Sequence, residues 1–298
     1  MLQSQTLTNG RLPPSLIEQY WQDGFLFPLP TGQTTKVADW RCKFEQMEQD
    51  WLSADLPLPL NSYKRLNAQC VMPLAFEIAN DAAILDLVEG VLGPDILLYS
   101  VEFFVKEPHT NHVVTMHQDL TYWGMGAIDG LVTAWVPLSP ATPASGCMDF
   151  VRASHKNPIL PHQDTYAESN LLSRGQEIAV DVADADKVAI ELHPGQISLH
   201  HGLTIHGSGP NTSADRRIGA AVRYLTPAIA QDNGEPEYAI PMRGQDRGDN
   251  FIHYEPAREW FTKDGVALHN TMREHQSRVT MAGAATKGIY AGGQDGTS

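Results

Sequence analysis

The sequence predicts a mainly β protein with flanking helices, folded as a sandwich or jelly roll. Two observations carry that expectation. From residue 96 the chain breaks into short aliphatic and aromatic runs, at 96–104, 131–138, 148–151, 188–192, 196–200 and 218–225, each bounded by Gly, Pro or Asp. Helical spacing is concentrated before residue 95, so the strand–helix alternation of a βαβ fold is missing.

Residues 1–13 are polar and read as loose. Pro13-Pro14-Ser15 ahead of Leu16-Ile17-Glu18-Gln19-Tyr20-Trp21 marks a helix start with apolar spacing of three to four, and Asp23-Gly24 marks its stop. Residues 25–29 form a short strand closed by proline. Between 39 and 52, Trp40, Phe44, Met47 and Trp51 recur at helical intervals, so a second helix buries an aromatic stripe. Prolines and short polar residues make 55–73 a loop, and 74–87 reads as one further helix.

The polar, acidic stretch 157–186 reads as an insertion or lid over one end of the barrel, because long loops in compact domains are usually functional. Beyond Pro227 the chain is rich in Gly and Pro to about Asn250, and 256–269 forms a last helix. The tail 292–298 is expected to be disordered. With 298 residues and 42% apolar content, the chain is expected to be one domain over 1–298, with a core of about 14–227 and a C-terminal extension over 228–298.

A formal charge of −14 (21 basic against 35 acidic residues) opposes binding to nucleic acid or anionic membranes. Cys42, Cys70 and Cys147 have no short spacing and form no disulfide framework, so a reducing, cytoplasmic setting is expected. The first residues lack the basic and apolar regions of a secretory signal, and no apolar run approaches the roughly 20 residues that span a bilayer.

Chemistry concentrates in two segments. On an extended chain alternate side chains share a face, so His117 and Asp119 of His117-Gln118-Asp119 can converge on one ion while Gln118 points away. A second imidazole, His206 of His206-Gly207-Ser208-Gly209-Pro210-Asn211, completes a two-histidine, one-carboxylate face suited to non-haem iron(II). Asp215-Arg216-Arg217 leads into the apolar run 218–225, where an inward guanidinium can bind a carboxylate in bidentate fashion. His200 and His201 read as structural or supporting residues, and His155 as structural or substrate-facing.

These segments, with Ser145-Gly146-Cys147-Met148, Ala153-Ser154-His155-Lys156, Leu192-His193-Pro194-Gly195 and Tyr20-Trp21-Gln22-Asp23-Gly24-Phe25, resemble the phytanoyl-CoA dioxygenase family of iron(II)- and 2-oxoglutarate-dependent oxygenases. The resemblance runs from about residue 14 to about 227. It implies a double-stranded β-helix, that is, a jelly-roll, cupin-like barrel. It also implies His117, Asp119 and His206 as catalytic metal ligands, and Arg217, eleven residues after His206, as the anchor for the C5 carboxylate of 2-oxoglutarate. Arg216 is the competing anchor; strand alternation turns only one of the two inward. Thr133 is expected to add a hydroxyl near the anchor, and Trp135 to line the co-substrate pocket. Two departures stand out: Met116 replaces a tryptophan frequent before the His-x-Asp pair, and Gly219 replaces a small polar residue frequent after the arginine.

The implied reaction consumes 2-oxoglutarate and O2, releases succinate and CO2, and hydroxylates a C–H bond. Related halogenases carry a small residue where Asp119 stands, so the carboxylate favours oxygen transfer. Tyr122 and Trp123 are the substrate-facing candidates, and Arg152, Lys156, Arg223 and Arg243 each offer a charge for an anionic group. Lacking a Lys/Arg cluster for a coenzyme A thioester, the chain is expected to act on a small soluble metabolite or natural-product intermediate. Two other readings use the same barrel: a zinc hydrolase or isomerase on the same three ligands, and a catalytically silent binding protein. Arg217 argues against the first, and the intact ligand set against the second.

Overall fold

A computed structural model describes residues 7–280 except 127, 165–169, 173–175 and 180–181. Its helices are α1 (Pro14–Asp23), α2 (Thr34–Trp51), α3 (Leu60–Lys64), α4 (Pro73–Ala79), α5 (Ala82–Leu92) and α6 (Lys263–Thr280). Its strands are β1 (Phe25–Pro30), β2 (Ile96–Lys106), β3 (Val114–His117), β4 (Leu131–Pro137), β5 (Met148–Val151), β6 (His162–Asp164), β7 (Gln176–Ile178), β8 (Lys187–Ile190), β9 (Gln196–His201), β10 (His206–Ser208), β11 (Arg217–Leu225), β12 (Glu237–Arg243) and β13 (Phe251–His253). A seven-stranded sheet in the order β1-β9-β4-β11-β2-β12-β13 faces a four-stranded sheet in the order β3-β10-β5-β8, and β6 pairs with β7. The chain thus folds as the expected jelly roll, with its helices on the large sheet.

Period-two alternation divides the large sheet between two cores. On β11, Ile218, Ala220, Val222 and Tyr224 pack outward with Phe103 of β2, Val132 of β4 and Leu199 of β9 against Trp40, Phe44 and Met47 of α2. Phe44 meets Phe103 at a ring separation of 4.7 Å. Truncating Phe103 to alanine would cost about 3–5 kcal/mol through lost transfer energy and the cavity left behind. On the inner face Phe104, Trp135 and Ala221 meet Phe25, Phe27, Met148 and Phe150 between the sheets. Because both faces are covered, all nine residues of β11 are buried.

Several sequence expectations need correction. Residues 7–13 are held: Leu12 is buried against the α5 backbone at Gly90, and Arg11 pairs with Glu89 at 2.9 Å. Helix α2 begins at Thr34, since the extra turn carries Val37 into the core. The single helix expected over 74–87 is two, because Asp81 ends one and caps the next, accepting from the amides of Ala83 (3.0 Å) and Ile84 (3.3 Å). The Gly/Pro-rich stretch after Pro227 contains β12, which pairs with β2 despite Pro241. The last helix starts seven residues late, at Lys263, where the Thr262 hydroxyl accepts from Gly265 N at 3.1 Å. The proposed lid over 157–186 contains β6 and β7, and within it Asn170 bridges to Val113. The tail 292–298 lies outside the described residues.

Candidate active site

Metal-ligating side chains converge where the two sheets face each other. His117 ends β3, His206 begins β10, and the two are direct cross-strand partners. Asp119 opens the short 3-10 turn that follows. Gln118 points away and fixes that turn: its amide donates to Leu203 O at 3.0 Å and accepts from Leu160 N at 2.8 Å. One ligand atom from each of His117, Asp119 and His206 lies within 4.8 Å of the others, and all three residues are buried. Asp119 Oδ1 is 3.5 Å from His117 Nε2 and 4.0 Å from His206 Nε2.

The imidazoles are set for ligation. His117 Nδ1 donates to Thr115 O at 2.8 Å and His206 Nδ1 to Thr204 O at 2.9 Å, which leaves both Nε2 lone pairs facing inward. Burial, then His117, hold the His206 imidazole well below its usual pKa, so it is neutral. Burial pushes Asp119 upward, but Arg223, then His117, His200 and His206, outweigh it and hold the carboxyl well below its ordinary range. The donor set of two imidazoles and one carboxylate fits a non-haem ferrous ion.

At the other end of the same cavity lies Arg217. The cavity is lined by both ends of this arrangement, together with Phe104, Trp135 and Ala221. Arg217 is 1% exposed, and its Nε and Nη2 have no hydrogen-bond partner. Burial lowers it to about 10, so it stays charged at neutral pH. A buried cation so poorly satisfied calls for an anion. Arg216 points the other way, to Glu107 (2.7 Å) and Glu48 (2.8 Å) on the outside.

Trp135 lies against Arg217, the guanidinium carbon 5.1 Å from the indole centroid. Thr133 does not sit beside the anchor as expected. It pairs across the sheet with Arg223, six residues and about 20 Å along β11 from Arg217 at the strand's rise. Its hydroxyl instead meets Asp119 Oδ2 at 3.3 Å. Trp123, partly buried, lies 5.7 Å from the Tyr99 ring and 4.8 Å from the Arg223 guanidinium carbon. The side chain of Tyr122 lies outside what is described.

Of the four cations offered for an anionic group, Arg152 pairs with Asp23, Arg243 with Asp86, and Lys156 is exposed. Arg223 alone among them lines the cavity, 2.8 Å from Glu102 and 3.6 Å from Asp119. Sequence reasoning overlooked Lys106 and Arg65. Lys106, the cross-strand partner of Arg217, donates to Ser208 Oγ at 2.7 Å, and burial together with Arg217 lowers it to about 6. Arg65 lies 4.1 Å over the Phe104 ring and donates to Leu171 O at 2.5 Å. Continuing the inward alternation of β2 from Phe104 would have found Lys106. Arg65, on a turn after α3, has no such signal.

The description "Phytanoyl-CoA dioxygenase (PhyH)" matches this chain over residues 22–219. The chain belongs to the phytanoyl-CoA dioxygenase family. That family comprises iron(II)- and 2-oxoglutarate-dependent oxygenases, in keeping with the ligand set and the buried arginine. A Caenorhabditis elegans protein described as "Probable phytanoyl-CoA dioxygenase" is 28% identical over 158 residues, 51% of this chain and 51% of its own. A Stutzerimonas stutzeri protein described as "Probable alpha-ketoglutarate-dependent hypophosphite dioxygenase" is 30% identical over 157 residues, 50% of this chain and 54% of its own. The chain therefore spans about half the length of the curated relatives it matches. Among solved structures, the apo form of the non-heme monooxygenase ThoJ superposes with a TM-score of 0.80 at 29% identity, covering 90% of this chain and 99% of that one. No described helix is long and apolar enough to cross a membrane.

Proposed function

We propose that this chain is an iron(II)- and 2-oxoglutarate-dependent dioxygenase that hydroxylates a C–H bond of a small soluble metabolite or natural-product intermediate. One observation carries the reading: a single cavity has His117, Asp119 and His206 at one end and the unsatisfied Arg217 guanidinium at the other. A zinc hydrolase has no use for that arginine.

In this reading His117, Asp119 and His206 hold iron, which with 2-oxoglutarate supplies the activation of dioxygen and leaves succinate and CO2. The protein's tasks are ligation, orientation and exclusion of water. Thr115 and Thr204 carbonyls fix the tautomers that turn both Nε2 atoms to the ion. Arg217 binds the C5 carboxylate of the co-substrate, and the Trp135 indole backs the guanidinium. Phe104, Trp135 and Met148 wall the cavity against water. Asp119 occupies the position that a halide would need, which favours hydroxylation. Tyr122 and Trp123 are assigned to the substrate side.

Anaerobic addition of 2-oxoglutarate to the iron(II) protein tests the reading: a weak visible charge-transfer band is expected. Absence of the band from protein that demonstrably holds iron would refute it. Succinate release across a panel of small metabolites, alkylammonium and phosphonate compounds and acyl-CoA thioesters then identifies the substrate class.

A further inference from the structure

His200 is a buried polar side chain to which the chemistry above gives no task. It lies on β9, 2% exposed, and lines the cavity. Its ring is 4.8 Å from Phe150 and 4.8 Å from His206, so it is held on two faces. Neither ring nitrogen has a hydrogen-bond partner. Phenylalanine would fill such a space without desolvating two nitrogens, so an imidazole here is costly unless a nitrogen is used.

The acceptor within reach is Asp119 Oδ2, 3.8 Å from His200 Nε2. Shortening that gap by about 0.8 Å reaches hydrogen-bond range. The cross-strand partner of His200 on β4 is Thr133, whose hydroxyl already meets the same oxygen at 3.3 Å. The two oxygens of Asp119 are therefore divided. Oδ1 faces the ligating nitrogens of His117 and His206, with Arg223 Nη2 at 3.6 Å, and Oδ2 faces Thr133 and His200.

We propose that His200 is a positioning residue: its Nε2–H donates to Asp119 Oδ2, and with Thr133 it fastens the carboxylate so that only Oδ1 is offered to the metal. The inference rests on the reading of His117, Asp119 and His206 as metal ligands. A carboxylate with both oxygens free can chelate an ion through both and occupy a position that the co-substrate requires. Two donors on one oxygen prevent this, and second partners of this kind are the usual means by which proteins set ligand orientation.

The test compares wild type, His200→Phe, His200→Gln and Thr133→Val in anaerobic titrations with Fe(II), and with Co(II) as a spectroscopic probe. His200→Phe, which keeps the packing and removes the donor, should weaken Fe(II) binding about 10- to 100-fold and alter the Co(II) d–d envelope. His200→Gln, which restores a donor, should remain within about threefold of wild type. Thr133→Val combined with a second donor-free variant, His200→Leu, should show non-additive losses, because both act on one oxygen; this pair carries the test if His200→Phe fails to fold. Wild-type affinity in His200→Phe would overturn the proposal, making the ring a space filler. Equal loss in His200→Gln and His200→Phe, with melting temperatures unchanged, would also overturn it, making His200 itself a ligand. A wild-type protein that binds iron but gives no 2-oxoglutarate band would sink the oxygenase reading and leave the metal-affinity comparison standing.

Discussion

Gly219 lies directly beneath the indole of Trp135: a Cβ at Gly219 would stand 2.2 Å from Trp135 Cζ2. The missing side chain is what lets the indole lie flat across β11 and reach the Arg217 guanidinium. The departure from the family's small polar residue is thus compensated by an aromatic ring in the same space. Gly219→Ser should displace Trp135, cost about 1–3 kcal/mol of stability through overpacking, and weaken 2-oxoglutarate binding. Urea denaturation and titration of the charge-transfer band measure the two effects. An unchanged co-substrate affinity would mean that Trp135 does not position Arg217.

Arg216 and Arg217 are neighbours with opposite surroundings, and their substitution should separate cleanly. Arg217→Met should raise the 2-oxoglutarate requirement about 100-fold, the loss of a bidentate charge-assisted pair. It should leave the ligand-free protein at least as stable, because an unsatisfied buried cation is removed. Arg216→Ala should leave the requirement unchanged and cost at most about 1 kcal/mol for a surface ion-pair network. A larger co-substrate effect from Arg216→Ala would reverse the assignment.

His206→Ala should abolish iron binding and succinate formation together. Asp119→Asn should weaken iron binding and also destabilise the protein, since Arg223 then loses one of its two carboxylate partners, keeping Glu102. Equilibrium dialysis with Fe(II) and thermal melts of the apo proteins report each effect. Retention of stoichiometric iron by His206→Ala would exclude it as a ligand.

Glu237 should contribute a part of the stability that falls as pH rises from 5 to 8, opposite in sign to the parts from Lys106 and His206. Burial raises this carboxyl from its usual 4.5 to about 7, even though it accepts from Gln231 (3.0 Å) and Tyr238 N (2.8 Å). A folded-state value above the unfolded one gives stability that is present below 4.5 and lost as pH passes through about 7. The effect is at most about 3 kcal/mol. Glu237→Gln should remove this contribution, so that the stability of wild type relative to the variant falls between pH 5 and pH 8, measured by urea denaturation.

Sequence spacing was sufficient for the site's frame and insufficient for its lining. His117 and Asp119 share a face by alternation alone, and Arg217 faces inward because Ile218, which follows it, packs outward. Strand pairing decides the rest. Thr133 lies beside Asp119 rather than Arg217 because of the β4–β11 register, which no local pattern reveals. His200 converges on the same carboxylate only because β9 pairs with β4. Helical spacing located α2 and its aromatic stripe, but it ran α4 and α5 together, since the Asp81 cap interrupts an otherwise apolar stretch. Proline drew the expected start of α6 toward Pro256, whereas a threonine cap sets it at Lys263.

The cross-strand pairing of His117 with His206 gives the metal a mechanical part. Among the described residues β3 is the edge of the four-stranded sheet and pairs there with β10. An ion held jointly by these two residues would be a rivet through the first rung of that ladder. Occupancy and edge integrity then become one variable. Amide exchange along Val114–His117 should slow on addition of iron while the core of β11 is indifferent to it, so that the fraying of one short strand reads out how much of the protein is charged with metal.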